Sequence, residues 1–548
     1  MRFHNGHNDI SYPLRKPASS VCTRSELILL IILVFAVCVR GLSFTGIGEM
    51  PDPLSHIEDA YKIAQGKFEV PDSYQRMRLG LILPISLFYW LWEVNEFSSA
   101  LYPFLCSLGS VVLIFYLGQL LFDDASSGLV CALFLAVFPM DVFYASQPMT
   151  EVPLSFLMAL CVYFFLKGEQ TTDKRHRKWY YIVSGIVAGF ACMTKIFAVF
   201  LALFFVCYIL YKKKLSTAYL WMTLGLCCVL FLESAFYYMQ TGNPVHRITS
   251  IVFEPGSGVE PNPGRIYLSF LFLYPYYWFV SLGHFGLFYY FIIPAFLYSV
   301  WNKVKETHIP MLWAGSLFLY LQFGLEGKYL IHKEARFLSI ITIPCLLVLG
   351  YVLTRKIFQG RRTLTFWITI GFLCLTSLVF ISFQRTLQRS EVENLRAIAG
   401  YVQQLPNDTT IYLDNQSVLF VRYFLGYRMS ERIRPFNRYN AKTGENSYPA
   451  DLNQLHRAFV VVNWRMINCT LSKRIKFPKI IYNPPSHWEM VHTIQPSDNW
   501  VFASIRVLRD LPFIQYFPRR VAWKMLRTIN WILERQKQKT IIYRINRE

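Results

Sequence analysis

Charge is scarce in this sequence, and negative charge is scarcest. Charged residues make up 16% of the chain, with 34 Asp and Glu against 55 Lys and Arg, while 54% of residues are hydrophobic. A soluble chain of this length divides into several domains and carries more charge, so that class is excluded. The surplus of positive charge is not gathered on one soluble face, as nucleic-acid binding requires; much of it sits in short segments between apolar runs. Cysteine supplies no framework either. Most of the 12 Cys lie inside apolar runs, Cys469 sits in a polar region, and no CxxC pair occurs. A disulfide scaffold and a cysteine metal site are thereby excluded. Nor is there a clear internal repeat or a visible soluble nucleotide-sugar fold.

What is present is a succession of apolar runs of about 16–24 residues, the length that crossing a bilayer requires. The chain therefore reads as a polytopic α-helical membrane protein. Arg2, Arg15, Lys16 and Arg24 precede the first run, Ser25–Phe44, and no small-x-small cleavage site follows it. This is the pattern of a signal anchor, with residues 1–24 cytoplasmic. Leu79–Val94 is apolar but short, contains Pro84 and follows Arg76 and Arg78. If it crossed, the basic segment Lys167–Trp179 would fall outside, against the charge rule. Read instead as juxtamembrane or re-entrant, it leaves Lys174–Lys178, Lys212–Lys214, Lys303–Lys305 and Arg355–Arg362 all inside.

The crossings are then 25–44, 100–122, 126–145, 152–167, 180–195, 196–211, 219–239, 284–301, 309–326, 337–354 and 363–383, about eleven helices in a membrane domain spanning 25–383. Tyr267–Val280 is a candidate for a second juxtamembrane segment. Beyond 383, "NLRAIAGYVQQLP" has helical periodicity, and "TTIYLD", "AFVVVNW" and "VFASIRVL" are short β-type runs. They predict an extracytoplasmic α/β soluble domain over 384–510. Residues 511–548 form a basic amphipathic tail, suited either to a membrane surface or to packing on that domain.

On this topology four polar groups converge on the outer side. They are Asp52 with His56, Glu58 and Asp59; Gln147 and Glu151 in "SQPMTEVP"; Lys195 in "MTKIF"; and Lys328, His332, Lys333, Glu334 and Arg336 in "EGKYLIHKEARF". Any one of these is most simply a solvated helix end. Four on one face, beside lipid, are costly unless paired or used. Carboxylates facing cations suit phosphoryl-glycosyl chemistry. Lys and Arg neutralise a leaving phosphate, and a carboxylate accepts the proton of an attacking hydroxyl. Two carboxylates can also share a divalent cation.

"MPDPLSHIEDAYKIAQG" resembles the first outer loop of membrane glycosyltransferases of the GT-C class. "RLGLILP", with Arg78, resembles the Pro-bearing juxtamembrane element that follows it. "SQPMTEVPLSFLMALCVYFFLKG" resembles the second acidic motif, and "GIVAGFACMTK" the Gly-rich helix ending in Lys. "HKEARFLSIITIP" is similar to the "HKExRF" element of dolichol-phosphate-mannose-using transferases. The order of motifs is similar to that of the bacterial branch related to protein O-mannosyltransferases and the aminoarabinose–lipid A transferase, glycosyltransferase families 39 and 83. The resemblance covers residues 25–350, and the rest more loosely. One departure stands out. Many relatives carry two adjacent acids in the first loop, whereas Asp52 is followed by Pro53, leaving Glu58 or Asp59 as the alternative second acid.

The resemblance implies an inverting transfer from a polyprenyl-phosphate sugar, undecaprenyl or dolichyl, to a lipid, glycan or protein acceptor, with no nucleic acid involved. Asp52 would be the base or would orient the acceptor, and Glu151 would assist it or join it in holding a divalent metal. His56, Arg78, Lys195, His332, Lys333 and Arg336 would bind substrate. The implied location is a bacterial inner membrane, or the endoplasmic reticulum in a eukaryote. The competing reading is a polytopic lipid or glycan transporter or flippase. That reading predicts mid-span charges, broken helices and repeats.

Overall fold

A computed structural model describes residues 22–545 apart from 49–50, 72, 75, 214, 254–271, 327–328, 331–332, 360–362, 440–444, 450, 453, 469–474, 497 and 511–518. The first part of the chain is helical: α1 (Cys22–Leu42), α2 (Pro51–Ala64), α3 (Leu79–Trp92), α4 (Glu96–Phe122), α5 (Ala125–Ala136), α6 (Pro139–Tyr144), α7 (Glu151–Gln170), α8 (Lys174–Thr194), α9 (Leu201–Lys212), α10 (Tyr219–Thr241), α11 (His246–Phe253), α12 (Leu273–Val280), α13 (Leu282–Phe285), α14 (Phe288–Trp301), α15 (His308–Phe323), α16 (Ser339–Tyr351) and α17 (Leu364–Gln404). Among the described residues, six helical stretches are long and apolar enough to cross a membrane: Arg24–Leu42, Glu96–Phe122, Glu151–Gln170, Tyr219–Thr241, Ala335–Ile357 and Leu364–Gln404. The protein is a polytopic membrane protein. Of the other expected crossings, 180–195 lies within the 21-residue α8, and the rest are shorter or interrupted helices. The run 126–145, for example, is broken before Pro139, where the ring forbids a continuing helical hydrogen bond.

The centre of the bundle is α16, all of whose residues are buried, as an evenly apolar helix requires. Small residues let its neighbours close up. A methyl group added at Gly118 of α4 would lie 2.7 Å from the Cα of Gly128 in α5. Where α8 crosses α10, Gly185 abuts the Met222 carbonyl and Gly225 abuts the Ile182 carbonyl. Buried charge in the bundle is paired. Arg40 donates to Asp141 at 2.6 Å and to Ser107 at 2.5 Å, and Arg247 donates to Glu233 at 2.6 Å and to the Cys192 carbonyl at 2.7 Å.

Helix α3 is 14 residues long, about 21 Å, which is short of the hydrocarbon thickness. Its inner face, Leu79, Leu81, Ile82 and Ile85, joins one apolar cluster with Leu54 and Ile57 of α2 and Val392, Leu395 and Ile398 of α17. Its other face exposes Leu87, Trp90 and Leu91. An aromatic, outward apolar face of this kind suits the membrane interface.

The same cluster extends into a five-stranded mixed sheet. Strand β1 (Thr410–Leu413) lies parallel to β2 (Ile433–Pro435) on one side and to β3 (Ala458–Asn463) on the other. Strand β5 (Thr540–Ile545) runs antiparallel between β3 and β4 (Trp488–Ile494). Every residue of β3 is buried, the sign of a strand covered on both faces. Helix α18 (Asn415–Phe424) follows β1, capped by Asp414, whose carboxylate accepts from the Ser417 amide at 2.9 Å.

One expectation needs correction here. "VFASIRVL" is not a strand but part of α19 (Trp500–Asp510). Asn499 caps it, accepting from the Val501 amide at 3.0 Å, and Val501, Phe502 and Ile505 form a helical stripe packed near Phe383 and Leu387. For the tail, of which 519–545 are described, the contacts agree with the second of its two alternatives, packing on the protein. Ile529, Ile532 and Leu533 of α20 (Arg519–Gln536) join that same cluster, and β5 is an interior strand of the sheet.

Candidate active site

Helix α2 begins where the chain leaves α1, and Asp52 stands in its first turn, where a carboxylate is favoured by the free amides of the helix end. Leu54, Ile57 and Ala60 give α2 a buried face. Glu151 opens α7, Lys195 closes α8 as its C-cap, and Arg336 lies in the short 3-10 turn Ala335–Leu338 before α16. Four separate elements thus deliver four charges.

Those charges meet. Arg336 Nη2 donates to Asp52 Oδ2 at 3.1 Å, and its Nε lies 3.8 Å from Glu151 Oε1 and against Glu334. Lys195 Nζ donates to Glu151 Oε1 at 3.1 Å. Lys195 also sits over the rings of Phe197 at 4.7 Å and Phe337 at 4.2 Å, which favours its charged form in a buried place. The exposures differ: the Asp52 side chain is 54% exposed and that of Glu151 is 3% exposed. Asp52 can meet an incoming molecule, while Glu151 is held among cations.

The remaining acids of the first loop are otherwise engaged. Asp59 is buried and takes two bonds from Arg76, one of them 3.0 Å from Arg76 Nε, while Glu58 pairs with Lys62 at 2.8 Å. His56 is buried, and burial, with Arg78 nearby, pushes its imidazole down to about 3. It is therefore neutral at physiological pH. Lys333 is buried against the Tyr274 ring at 5.1 Å, and burial lowers its ammonium to about 8. Arg78 is the N-cap residue of α3 and acts on both His56 and Lys195 through its charge. His332 and Lys328 lie outside the described residues.

Sequence reasoning did not single out several supporting contacts. Gln147 donates to Gln388 of α17 at 3.1 Å, Tyr144 and His284 face each other at 3.5 Å, and Glu334 pairs with Arg336. Glu334 was visible within the "HKEARF" element. The others pair residues more than a hundred positions apart, and nothing local marks them.

The sequence 82–237 matches the family described as dolichyl-phosphate-mannose-protein mannosyltransferase. That stretch contains Glu151 and Lys195 but neither Asp52 nor Arg336. The chain's fold is similar to that of ArnT from Cupriavidus metallidurans in the apo state, with a TM-score of 0.56 at 13% identity, over 88% of this chain and 97% of that one. The same protein bound to undecaprenyl phosphate gives 0.55 and 13%, over 83% and 96%. The oligosaccharyltransferase AglB from Archaeoglobus fulgidus, in complex with an inhibitory peptide and a dolichol-phosphate, gives 0.51 and 10%, over 95% and 88%. A comparison with curated proteins returns no match. The family match covers 156 of the chain's 548 residues, and over the rest of the chain the likeness to these proteins is one of fold.

Metal binding can be tested on this chain's own residues. An AglB structure is a complex with zinc. Here the Arg336 guanidinium stands between Asp52 and Glu151, the two carboxylates expected to share a cation. Among the described residues, no group of three or more His, Cys, Asp and Glu is placed to hold a metal ion. A guanidinium already supplies the positive charge both carboxylates need, so the pair does not fit an ion in this arrangement.

Proposed function

We propose that this protein is a membrane glycosyltransferase of the GT-C class that moves a sugar from a polyprenyl phosphate to an acceptor hydroxyl on the extracytoplasmic side, with inversion. The observation that carries the reading is the Asp52–Arg336–Glu151–Lys195 chain of contacts, with the exposed carboxylate at one end and buried cations behind it. The family match and the fold support a lipid-linked donor. The acceptor oxygen attacks the anomeric carbon, the bond from that carbon to the phosphate oxygen breaks, and polyprenyl phosphate leaves as an anion. The acceptor's proton passes to Asp52. Arg336, Lys195 and Lys333 receive the phosphate, since Arg offers a planar fork and Lys a point charge. Arg78 adds charge at the rim, and His56, neutral and buried, shapes the floor. The reading includes eleven crossings, an outer α/β layer and a bacterial inner membrane.

The test is transfer by the purified protein in lipid nanodiscs from a panel of labelled polyprenyl-phosphate sugars to endogenous membrane extract. We expect one donor to be consumed, and Asp52→Asn to lower turnover by about 10²-fold or more, the usual size of a general-base effect. Transbilayer movement of the lipid without any transfer would instead identify a flippase.

A further inference from the structure

A pocket of about 410 Å³ opens at the far end of α2 from Asp52, between the α/β layer and the end of α3. The mechanism above does not use it. Its walls include Tyr61, Gln65, Glu93, Gln403, Phe424 and Arg428. Tyr61 is braced by stacking on Tyr427 at 4.6 Å, and Phe424 by Arg396 at 5.5 Å. Glu93 and Arg428 close the rim with a 2.5 Å ion pair. The backbone at this rim is held in unusual conformations: Glu93 has φ 58° and ψ 179°, a region nearly confined to glycine, and Tyr427 has φ 60°. Such strain persists where the surroundings demand a particular shape, and it gathers at ligand sites.

Resting on the glycosyltransferase reading, we infer that this pocket is an acceptor subsite for a saccharide. Aromatic side chains combined with planar amides, a carboxylate and a guanidinium match a sugar ring, which has apolar faces and a belt of hydroxyls. They do not suit a lipid tail, which has nothing to offer Gln65, Gln403, Glu93 or Arg428. The position fits as well. Tyr61 and Gln65 lie nine and thirteen residues beyond Asp52, about 14 and 20 Å along the helix axis. A short oligosaccharide bound here is carried on the same rigid helix as the proposed base, so its attacking end is placed by α2 itself.

The test separates binding from turnover. Saturation-transfer NMR on the full chain in nanodiscs, without donor, would be run with a glycan set comprising mannotriose, chitotriose, cellotriose and the oligosaccharide fraction of a bacterial envelope. We expect at least one to bind. Gln65→Ala, Gln403→Ala and Arg428→Ala change exposed side chains and should keep the fold. Each should weaken that saccharide by about fivefold or more, the effect of losing one hydrogen bond. In transfer assays the same variants should raise the acceptor KM and leave the donor KM unchanged. Absence of binding across the set, binding unaffected by all three substitutions, or competition by a peptide in place of a saccharide would each overturn the inference. A protein that binds a saccharide here but consumes no donor would refute the transferase reading and leave the subsite standing.

Discussion

Arg336 touches three carboxylates, and Asp52 is the most exposed of them. That asymmetry yields a stability test. Glu151 and Lys195 are both buried, and removing one partner of a buried pair leaves the other charge uncompensated, at a cost of about 3–5 kcal/mol. We expect Glu151→Gln to lower the thermal unfolding temperature clearly, and Glu151→Gln with Lys195→Met to recover most of it while restoring no transfer. If the double variant regains activity, the pair is structural and the site lies elsewhere. Lys333 gives a pH test. With burial lowering its ammonium to about 8, it is charged below that pH and loses its proton above it. Donor binding should therefore weaken as pH rises through about 8, and Lys333→Arg should flatten the dependence. A wild-type profile flat from pH 7 to 9.5 would remove Lys333 from the phosphate site. The charges of this site could be read from the sequence because they stand at the ends of long apolar runs, where nothing else explains them. Which of Asp52, Glu58 and Asp59 remains available could not, because it depends on Arg76 and Lys62 claiming the latter two.

At the scale of elements, the bundle was legible wherever an apolar run was long. It was less so where the structure breaks a run, as before Pro139, or joins two units. Helix α17 continues for 41 residues from the membrane-type segment into the α/β layer, so the expected boundary at 383 falls inside a helix. Strand β5 was hidden because it is six residues in a basic tail, and its burial comes from β3 and β4 on either side. Glycine offers a controlled test of the packing. A larger residue at Gly185 must push against the Met222 carbonyl, whereas a methyl group at Gly371 of α17 meets nothing within 4 Å. We expect Gly185→Val to destabilise the protein by about 1–3 kcal/mol, the usual range for overpacking. Gly371→Ala should be neutral or slightly stabilising. Equal effects on the unfolding temperature would mean that α8 and α10 do not cross as described.

For the whole molecule, sidedness decides whether the site can work at all. Helix α8 runs from Lys174 to Thr194, 21 residues or about 30 Å, close to the hydrocarbon thickness of a bilayer. On the proposed topology α8 crosses, and its basic end and its Lys195 end face opposite surfaces. Lys195 touches Glu151, Arg336 lies beside Glu151, and Arg336 touches Asp52, so the four are tied to one side by contact. The α/β layer is pinned to that side too, by Arg396 on Glu96 at 2.7 Å and by the Tyr423 hydroxyl on Ser99 at 3.0 Å. Because Lys-rich and Arg-rich loops prefer the cytoplasm, we propose that Asp52 and the sheet lie outside. Cysteines placed at Gln65 and Arg175, both exposed, would report this with a maleimide that cannot cross membranes. We expect Gln65→Cys to label in intact cells or spheroplasts and Arg175→Cys to label after permeabilisation. Labelling of both in intact cells would mean that α8 does not cross, and the outer-face site would lose its basis. Labelling of Arg175→Cys alone would invert the protein and place the transfer on the cytoplasmic surface.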